Sequence, residues 1–269
     1  MSGTNEVIGA LAFWDCRELV IKRSEFRSAL EEIDLGFAMP KDPKPAAMLR
    51  AAMDSLPIEL REAFDVATVG DSLVCYSKHG RITMNRSTGE LSSTSNHPTH
   101  AAALDHYVRT ADRLTVSEAG TILTHAIRGR AHDIGLAGVN VRGESGGVYF
   151  VPRANLERLR LLASATCVGF GPPRLSVWGV YEGQQERRLA FAIVNQDLRN
   201  RLAHVMKSIS QILEVEATER GSRGIQARWA IIRDLGSRIA VYRDVFGDDL
   251  GVSPDDVEAL VDRMNGGGM

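Results

Sequence analysis

The sequence has 269 residues and a formal net charge of −2, with 44% hydrophobic and 25% charged residues. This composition is that of an ordinary globular protein, and the near-neutral charge excludes a general electrostatic attraction to nucleic acid or membranes. No apolar run approaches the roughly 20 residues that a membrane-spanning helix needs, so we expect no membrane partner. The start of the sequence also lacks the basic and apolar segments of a signal peptide.

The cysteines point to a reducing environment. Cys16, Cys75 and Cys167 are odd in number, far apart and never arranged as Cys-x-x-Cys. This spacing argues against a disulfide framework and against a zinc ribbon. We therefore expect a cytoplasmic location.

The N-terminal part of the chain predicts a strand, two helices and a small antiparallel sheet. Val7–Trp14 predicts the strand, and Ser24 is placed to cap a helix that stops at Gly36. The proline-rich stretch 40–45 predicts a stiff linker into a helix at 46–56. Short strands are then predicted at Phe64–Val69, Leu73–Ser77 and Arg81–Asn85, joined by turns that contain glycine.

The segment between this sheet and residue 139 predicts a loop and two helices. Ser87–His97 is polar, which predicts an exposed loop. Pro98 is placed to open one helix, because proline is tolerated in the first turn. Ser117 is placed to cap the next helix, which carries an apolar stripe.

Residues 139–152 predict a β-hairpin. Two β-branched or aromatic runs flank a loop with three glycines, and Pro152 ends the second strand. We expect Gly147 to need a positive φ, so that Gly147→Val would be costly. A leucine-rich helix follows the hairpin, and Leu175–Tyr181 alternates as the last predicted strand.

From Gln184 onward the chain predicts two long helices with apolar seams. Gly221 and Gly224 are predicted to interrupt the helix, so that the chain folds back as an antiparallel hairpin. Pro254 begins a short last helix. The seams are broad, so we expect them to pack on the rest of the chain or on another copy as a homo-oligomer. The first seam comprises Leu198, Leu202, Val205, Ile209 and Ile212, and the second comprises Ile225, Trp229, Ile232, Leu235, Ile239, Tyr242 and Phe246.

The predicted fold class is α+β. We expect a mainly antiparallel sheet with helices in residues 1–183, including the central hairpin 139–152. A long antiparallel α-helical hairpin with a short C-terminal helix is expected in residues 184–269.

Gly143-Glu144-Ser145-Gly146-Gly147 matches the Gly-x-Ser-x-Gly nucleophile pattern. In hydrolases a strand-to-helix turn presents this serine above the sheet. Here a strand follows the pattern, and no histidine or carboxylate is marked as a partner. We interpret the segment as a glycine-rich hairpin loop and expect Ser145→Ala to be nearly silent.

His97, His100 and His106, with Asp105, form the densest group of possible metal ligands. His100, Asp105 and His106 cannot all lie on one face of a helix, so capping and surface exposure explain them equally well. No phosphate-binding loop, dinucleotide fingerprint or zinc-protease motif is present. We expect no metal and no other cofactor.

The region 121–160 is the basic part of the chain. It contains six arginines, Arg128, Arg130, Arg142, Arg153, Arg158 and Arg160, against only three acidic residues. A helix followed by a β-hairpin can place such side chains on nucleic-acid phosphates. The C-terminal end of the chain is acidic and would repel phosphate. We therefore expect any contact with DNA or RNA to lie in the middle of the chain and to use Arg128, Arg130, Arg142 and Arg153.

The block Gly146-Gly147-Val148-Tyr149-Phe150-Val151-Pro152, after Val141-Arg142, resembles an uncharacterised family from phages, plasmids and other prokaryotic genomes. The proline-rich linker and the long C-terminal helical hairpin are similar to that family's layout. This sequence differs in its loop entry, Gly143-Glu144-Ser145, and in a longer approach, Ile134–Asn140. The resemblance implies a phage or mobile-element context and no known activity.

Two classes of function remain open. The first is a non-enzymatic binding or scaffolding protein that contacts nucleic acid through 121–160 and assembles through its C-terminal helices. The alternative is an enzyme of unrecognised type, with Ser145 or the His97/His100/His106 group at its site.

Overall fold

A computed structural model of the chain describes residues 6–16, 21–130, 133–142, 147–167, 174–213 and 219–266. The strands are β1 (Val7–Trp14), β2 (Asp65–Val69), β3 (Ser72–Ser77), β4 (Gly80–Asn85), β5 (Leu91–Ser93), β6 (Val139–Asn140), β7 (Val148–Pro152) and β8 (Leu175–Tyr181). The helices are α1 (Arg23–Glu32), α2 (Pro45–Asp54), α3 (Ile58–Arg61), α4 (Pro98–Ala111), α5 (Val116–Arg128), α6 (Leu156–Ala165), α7 (Gln184–Leu213), α8 (Glu219–Phe246) and α9 (Pro254–Gly266).

The chain divides into two compact units. Unit 1 comprises Met1–Leu19, Phe26–Met39 and Thr115–Met269, and unit 2 comprises Val20–Glu25 and Pro40–Leu114. This division differs from the boundary predicted at residue 183. The reason is that the C-terminal helices share one apolar core with β1, β6 and β7, whereas the segment 40–114 has a core of its own.

The sheet of unit 1 has the strand order β6-β7-β1-β8. β1 pairs antiparallel with β7, where Leu11 faces Phe150, and with β8, where Leu11 faces Trp178. β1 is largely buried because it lies between two neighbours, as its apolar sequence requires. The predicted hairpin is present, with its first strand reduced to Val139–Asn140.

The helices α7 and α8 form an antiparallel pair. Arg228 contacts Ser208 and Arg201 contacts Asp234, so residue numbers rise along one helix as they fall along the other. The pair packs on the unit 1 sheet, because Ile8, Val139 and Phe150 belong to the same buried cluster as its seams. Antiparallel sheets with this helical pair confirm the α+β prediction.

Unit 2 contains a four-stranded antiparallel meander, β2-β3-β4-β5. Its core is formed by β3 and β4 with α2 and α4, and includes Leu49, Met53, Ile82 and Met84. The three predicted strands are confirmed.

Several local predictions are wrong. Ser24 was expected to cap the first helix, but it lies inside α1, which begins at Arg23. Ser87–His97 was expected to be a loop, but β5 forms within it and pairs with β4, because the strand edge supplies partners even to polar residues. Gly221 and Gly224 lie inside the first turns of α8 and do not interrupt the helix. The cost of a helical glycine, about 1 kcal/mol each, is evidently offset by the packing of the helix. The capping residue of α5 is Thr115, which forms a reciprocal capping box with Glu118, and is not Ser117.

Within the described parts of the chain, no helix combines the length and the apolar character needed to cross a membrane.

Candidate functional site

A cavity of about 380 Å³ with a mixed polar and apolar lining lies in unit 1. Two of its lining residues end other elements: Arg128 is the last residue of α5, and Asn140 is the last residue of β6. The helical pair provides the rest: Asp197, Asn200, Arg201, His204 and Val205 from α7, and Ile231, Asp234 and Leu235 from α8. The α7 residues recur at spacings of three and four, which places them on one helix face.

The C-terminal end of α5 is tightly fixed, which positions Arg128. The last carbonyls of a helix need partners from outside the helix. Here the three residues before Arg128 find such partners. The backbone N–H of Gly129 donates to the His125 carbonyl, that of Leu136 to Ala126, and that of Gly138 to Ile127. The guanidinium of Arg238 donates to the Arg128 carbonyl itself.

The segment that wraps this helix end is the one noted as a longer approach to the hairpin, 134–140. It requires unusual backbone geometry: Gly135 has φ +58°, and a Cβ there would lie 2.3 Å from the Ala126 carbonyl oxygen. Ala137 also has a positive φ, +55°. Its carbonyl accepts a hydrogen bond from the hydroxyl of buried Tyr242, which anchors the segment.

A chain of charges forms one wall of the cavity. Arg201 Nε lies 2.6 Å from Asp197 Oδ2, and Arg201 Nη1 lies 3.5 Å from Asp234 Oδ2. Asp234 Oδ2 also lies 3.0 Å from Arg238 Nε. The two carboxylates and two guanidinium groups of this network balance. Arg238 does not line the cavity, so the lining itself, with Arg128 and Arg201 against Asp197 and Asp234, carries no formal net charge.

Arg238 is the most deeply buried member of this network, with 1% of its side chain exposed. Burial lowers the pKa of its guanidinium, with Arg201 acting in the same direction and Asp234 opposing it. Its Nη1 has no hydrogen-bond partner among the described residues. Burial also raises the pKa of Tyr242.

Half of the arginines in 121–160 have a described partner within unit 1, two of them in distant segments and one on the same helix. Arg153 Nη1 lies 2.5 Å from Glu6 Oε1, and its Nη2 donates to the Asp244 carbonyl at 3.0 Å. Arg158 donates to the carbonyls of Ile33 and Asp34, both at 3.0 Å. Arg160 lies 3.7 Å from the carboxylate of Glu157 on the same helix.

The other three arginines, Arg128, Arg130 and Arg142, have no carboxylate within 4 Å among the residues that the structure describes. Arg130 and Arg142 are exposed. Each lies two residues from a residue that lines the cavity, Arg128 or Asn140, and two residues of chain span at most about 7 Å. The Arg142 backbone N–H donates to Asn140 Oδ1 at 2.9 Å, which holds the two together. We call these three side chains the arginine rim.

In unit 2, the structure brings His97 and His100 together with His79, which the sequence analysis missed. The rings of His79 and His97 stack with their centroids 3.4 Å apart. Burial, followed by the neighbouring His97, lowers the pKa of both His79 and His100. His97 also caps α4, since its Nδ1 accepts from the Thr99 backbone N–H.

His100 is fully buried between two serines. Its Nε2 lies 2.7 Å from Ser77 Oγ, and its Nδ1 lies 3.0 Å from Ser93 Oγ. Ser93 donates its own hydroxyl proton to the Ser95 carbonyl, so it accepts from Nδ1–H. The Ser77 hydroxyl has two acceptors within reach, His100 Nε2 and the Gly80 carbonyl at 3.3 Å. His106 takes no part, because its Nε2 contacts Ser55 Oγ at 2.9 Å.

Other predicted chemistry has no described counterpart. Ser145, with 143–146, lies outside the described residues. In the parts of the chain that the structure covers, no cluster of three or more histidine, cysteine, aspartate or glutamate side chains could hold a metal ion.

The predicted seam residues are mostly buried in the core of unit 1. Leu198, Val205, Ile209, Ile232, Ile239 and Tyr242 are at most 1% exposed, and Leu202 is half-buried against them. The side chain of Ile212 lies outside the described part. Arg201 and Arg228 are half-buried because each bonds to a partner, Asp197 or Ser208.

Comparison with known proteins places the chain in a family without assigning it an activity. Neither the curated proteins nor the solved structures include one that matches it. A family model described as "Family of unknown function (DUF6744)" matches residues 61–265, which is more than half of the chain. The protein therefore belongs to this family of unknown function, DUF6744.

Proposed function

We propose that this protein is a non-catalytic nucleic-acid-binding protein of a phage or other mobile element, and that it contacts phosphates through the arginine rim. The mobile-element context is supported by the resemblance of the Gly-Gly-Val-Tyr-Phe-Val-Pro block. The single observation that carries the binding proposal is the contrast within 121–160. Arg153 and Arg158 bond to distant parts of unit 1 and Arg160 forms an exposed ion pair with Glu157, whereas the rim arginines have no described carboxylate partner.

This contrast matters because an arginine held by a carboxylate has little left to offer a phosphate. Guanidinium groups bind phosphate oxygens in bidentate geometry when they are available. We therefore leave Arg153, which the sequence suggested as a contact, out of the proposed surface. The net charge of −2 limits any attraction to this local rim.

The test is binding of dye-labelled single-stranded and duplex DNA and RNA at low salt, followed by fluorescence anisotropy. A triple variant, Arg128→Ala, Arg130→Ala and Arg142→Ala, should weaken binding by about tenfold or more. The matched control removes three exposed positive charges elsewhere in unit 1, Arg160→Ala, Lys207→Ala and Arg233→Ala, and should change affinity little. If the unmodified protein bound none of these probes, the proposal would be wrong.

An enzyme is the second candidate, and the contact between Ser77 and His100 favours it. A hydroxyl 2.7 Å from an imidazole nitrogen, with the other nitrogen oriented by Ser93, is the arrangement that activates a serine nucleophile. The same contacts also brace the turn between β3 and β4, where Ser77 Oγ accepts from the His79 backbone N–H. A fluorophosphonate probe distinguishes the two, since it labels activated serines. Labelling that Ser77→Ala abolishes would support the enzyme; absence of labelling would leave the structural role.

A further inference from the structure

The cavity beside the arginine rim is larger than a phosphate group requires. Its volume of about 380 Å³ falls in the range of roughly 300–1,000 Å³ that small-molecule pockets occupy. The lining is mixed: Val205, Ile231 and Leu235 are apolar, whereas Asn140, Asn200 and His204 are polar. A flat group with polar edges fits such a lining better than a compact anion does.

The polar wall is richer in donors than in acceptors. Both cavity carboxylates are already engaged: Asp197 accepts from Arg201 Nε, and Asp234 accepts from Arg238 Nε. Asn200 Oδ1 accepts from Gln196 Nε2 at 2.8 Å, which turns the amide nitrogen of Asn200 toward other acceptors. The ring nitrogens and carbonyl oxygens of a nucleobase are acceptors of this kind.

A base can reach this cavity only from a strand that is not paired. In a duplex the bases are stacked inside and the phosphates lie outside, so a rigid duplex would meet the arginine rim alone. An unpaired strand can place one base in the cavity while its phosphates remain on the rim.

We propose that the cavity receives one unstacked nucleotide, so that the protein prefers single-stranded nucleic acid to duplex. This inference rests on the proposed function, because the arginine rim must first hold the phosphates. Phosphate contacts then provide affinity for either form, and the cavity provides the preference for single strands.

The experiment compares a short dye-labelled strand with the same strand annealed to its complement. The protein should bind the single strand about tenfold more tightly. Asn200→Leu removes the amide donor and fills part of the cavity at an exposed position, so it should lower single-strand affinity to the duplex level and leave duplex affinity unchanged. Gln211→Leu is the matched control, because Gln211 is exposed on the same helix and does not line the cavity.

The outcomes separate this inference from the proposed function. Equal affinity for both forms would overturn the cavity inference while leaving the phosphate contacts intact. Equal weakening of both forms by Asn200→Leu, or no change in either, would also overturn it. Absence of binding to both forms would defeat the proposed function itself.

Discussion

Buried charge is the feature of single residues that most affects stability in this protein. Arg238 donates to Asp234 and to the carbonyls of Arg128 and Ile134 while almost none of its surface reaches solvent. Arg238 therefore has two roles. It balances a carboxylate in the cavity wall, and it completes the hydrogen bonding at the C-terminal end of α5.

Replacement of Arg238 should therefore be costly. Arg238→Ala would leave the Asp234 carboxylate and two carbonyls with fewer partners, and we expect a decrease of about 3–5 kcal/mol in the free energy of unfolding. Urea denaturation measures this decrease. Arg233→Ala, an exposed position on the same helix, should change it by at most about 0.5 kcal/mol. Similar values for the two variants would show that the network adds no stability.

The histidines of unit 2 should make stability depend on pH. Burial holds the pKa of His100 below its ordinary 6.5, so the folded state takes up this proton only at lower pH than the unfolded state. The unfolded state thus binds more protons as pH falls below about 6.5, and stability decreases there. His79 acts in the same sense.

Thermal midpoints measured from pH 7 to pH 5 test this coupling. The His100→Gln variant should show a flatter decline than the unmodified protein, because one titrating group has been removed. Gln211→Leu, which alters an exposed position on α7 and removes no titrating group, is the control and should follow the unmodified curve. Parallel curves for the unmodified protein and His100→Gln would show that His100 does not cause the loss of stability at low pH.

At the scale of elements, unusual backbone geometry follows the end of α5, where Gly129, Gly135 and Ala137 have positive φ. Gly147 was expected to need a positive φ, but its φ is not positive and a Cβ there would meet nothing within 4 Å among the described atoms. Gly129 has φ +86°, and its Cβ would lie 2.2 Å from the Asp133 carbonyl oxygen. Glycine is required where the chain leaves α5, because that turn brings backbone against backbone.

Matched substitutions distinguish the two glycines. Gly129→Val should lower the free energy of unfolding by at least about 1–3 kcal/mol, because valine disfavours that backbone conformation and clashes with Asp133. Gly147→Val should be nearly neutral. Chemical denaturation of both variants gives the comparison, and a larger decrease at Gly147 would contradict it.

Elements with strong periodicity could be predicted from the sequence, whereas their partners could not. β1, β8 and the two long helices follow from local alternation and heptad spacing, which are properties of neighbouring residues. Whether an arginine is paired or available depends on residues that are distant in the sequence. Arg153, for example, binds Glu6, 147 residues away. The pairs Asp197/Arg201 and Asp234/Arg238 are visible as i,i+4 spacings, but such pairs ordinarily lie on the solvent face of a helix.

The same limit applies to the histidine cluster. His79 lies in the turn between β3 and β4, and only the meander brings it against His97. β5 was missed because its residues are polar, and its pairing with β4 is a property of the sheet edge.

At the scale of the whole molecule, most of the described seam residues of α7 and α8 are buried within one chain, whereas Ile225 is 38% exposed. Ile209 is fully buried in the core of unit 1, so Ile209→Asp should unfold the protein, with a cost of several kcal/mol for an unpaired buried carboxylate. Met206→Asp, where the side chain is 41% exposed, is the control and should be tolerated.

Light scattering combined with thermal denaturation measures both mass and stability for these variants. Dissociation of Ile209→Asp into a folded species of smaller mass would assign the seam to self-association between copies. Unchanged mass and melting temperature would show that Ile209 is not buried. Assembly through the C-terminal helices stays a prediction until the mass of the unmodified protein is known.

The salt dependence of nucleic-acid binding tests the central claim most directly, because it counts phosphate contacts. For a single strand, log Kobs should fall linearly with log salt, by about 0.7 per neutralised phosphate. The triple variant of the arginine rim should give a slope shallower by about 0.7 for each phosphate that it no longer neutralises, while the control triple variant at Arg160, Lys207 and Arg233 keeps the original slope. Identical slopes for the unmodified protein and the rim variant would contradict phosphate binding by Arg128, Arg130 and Arg142.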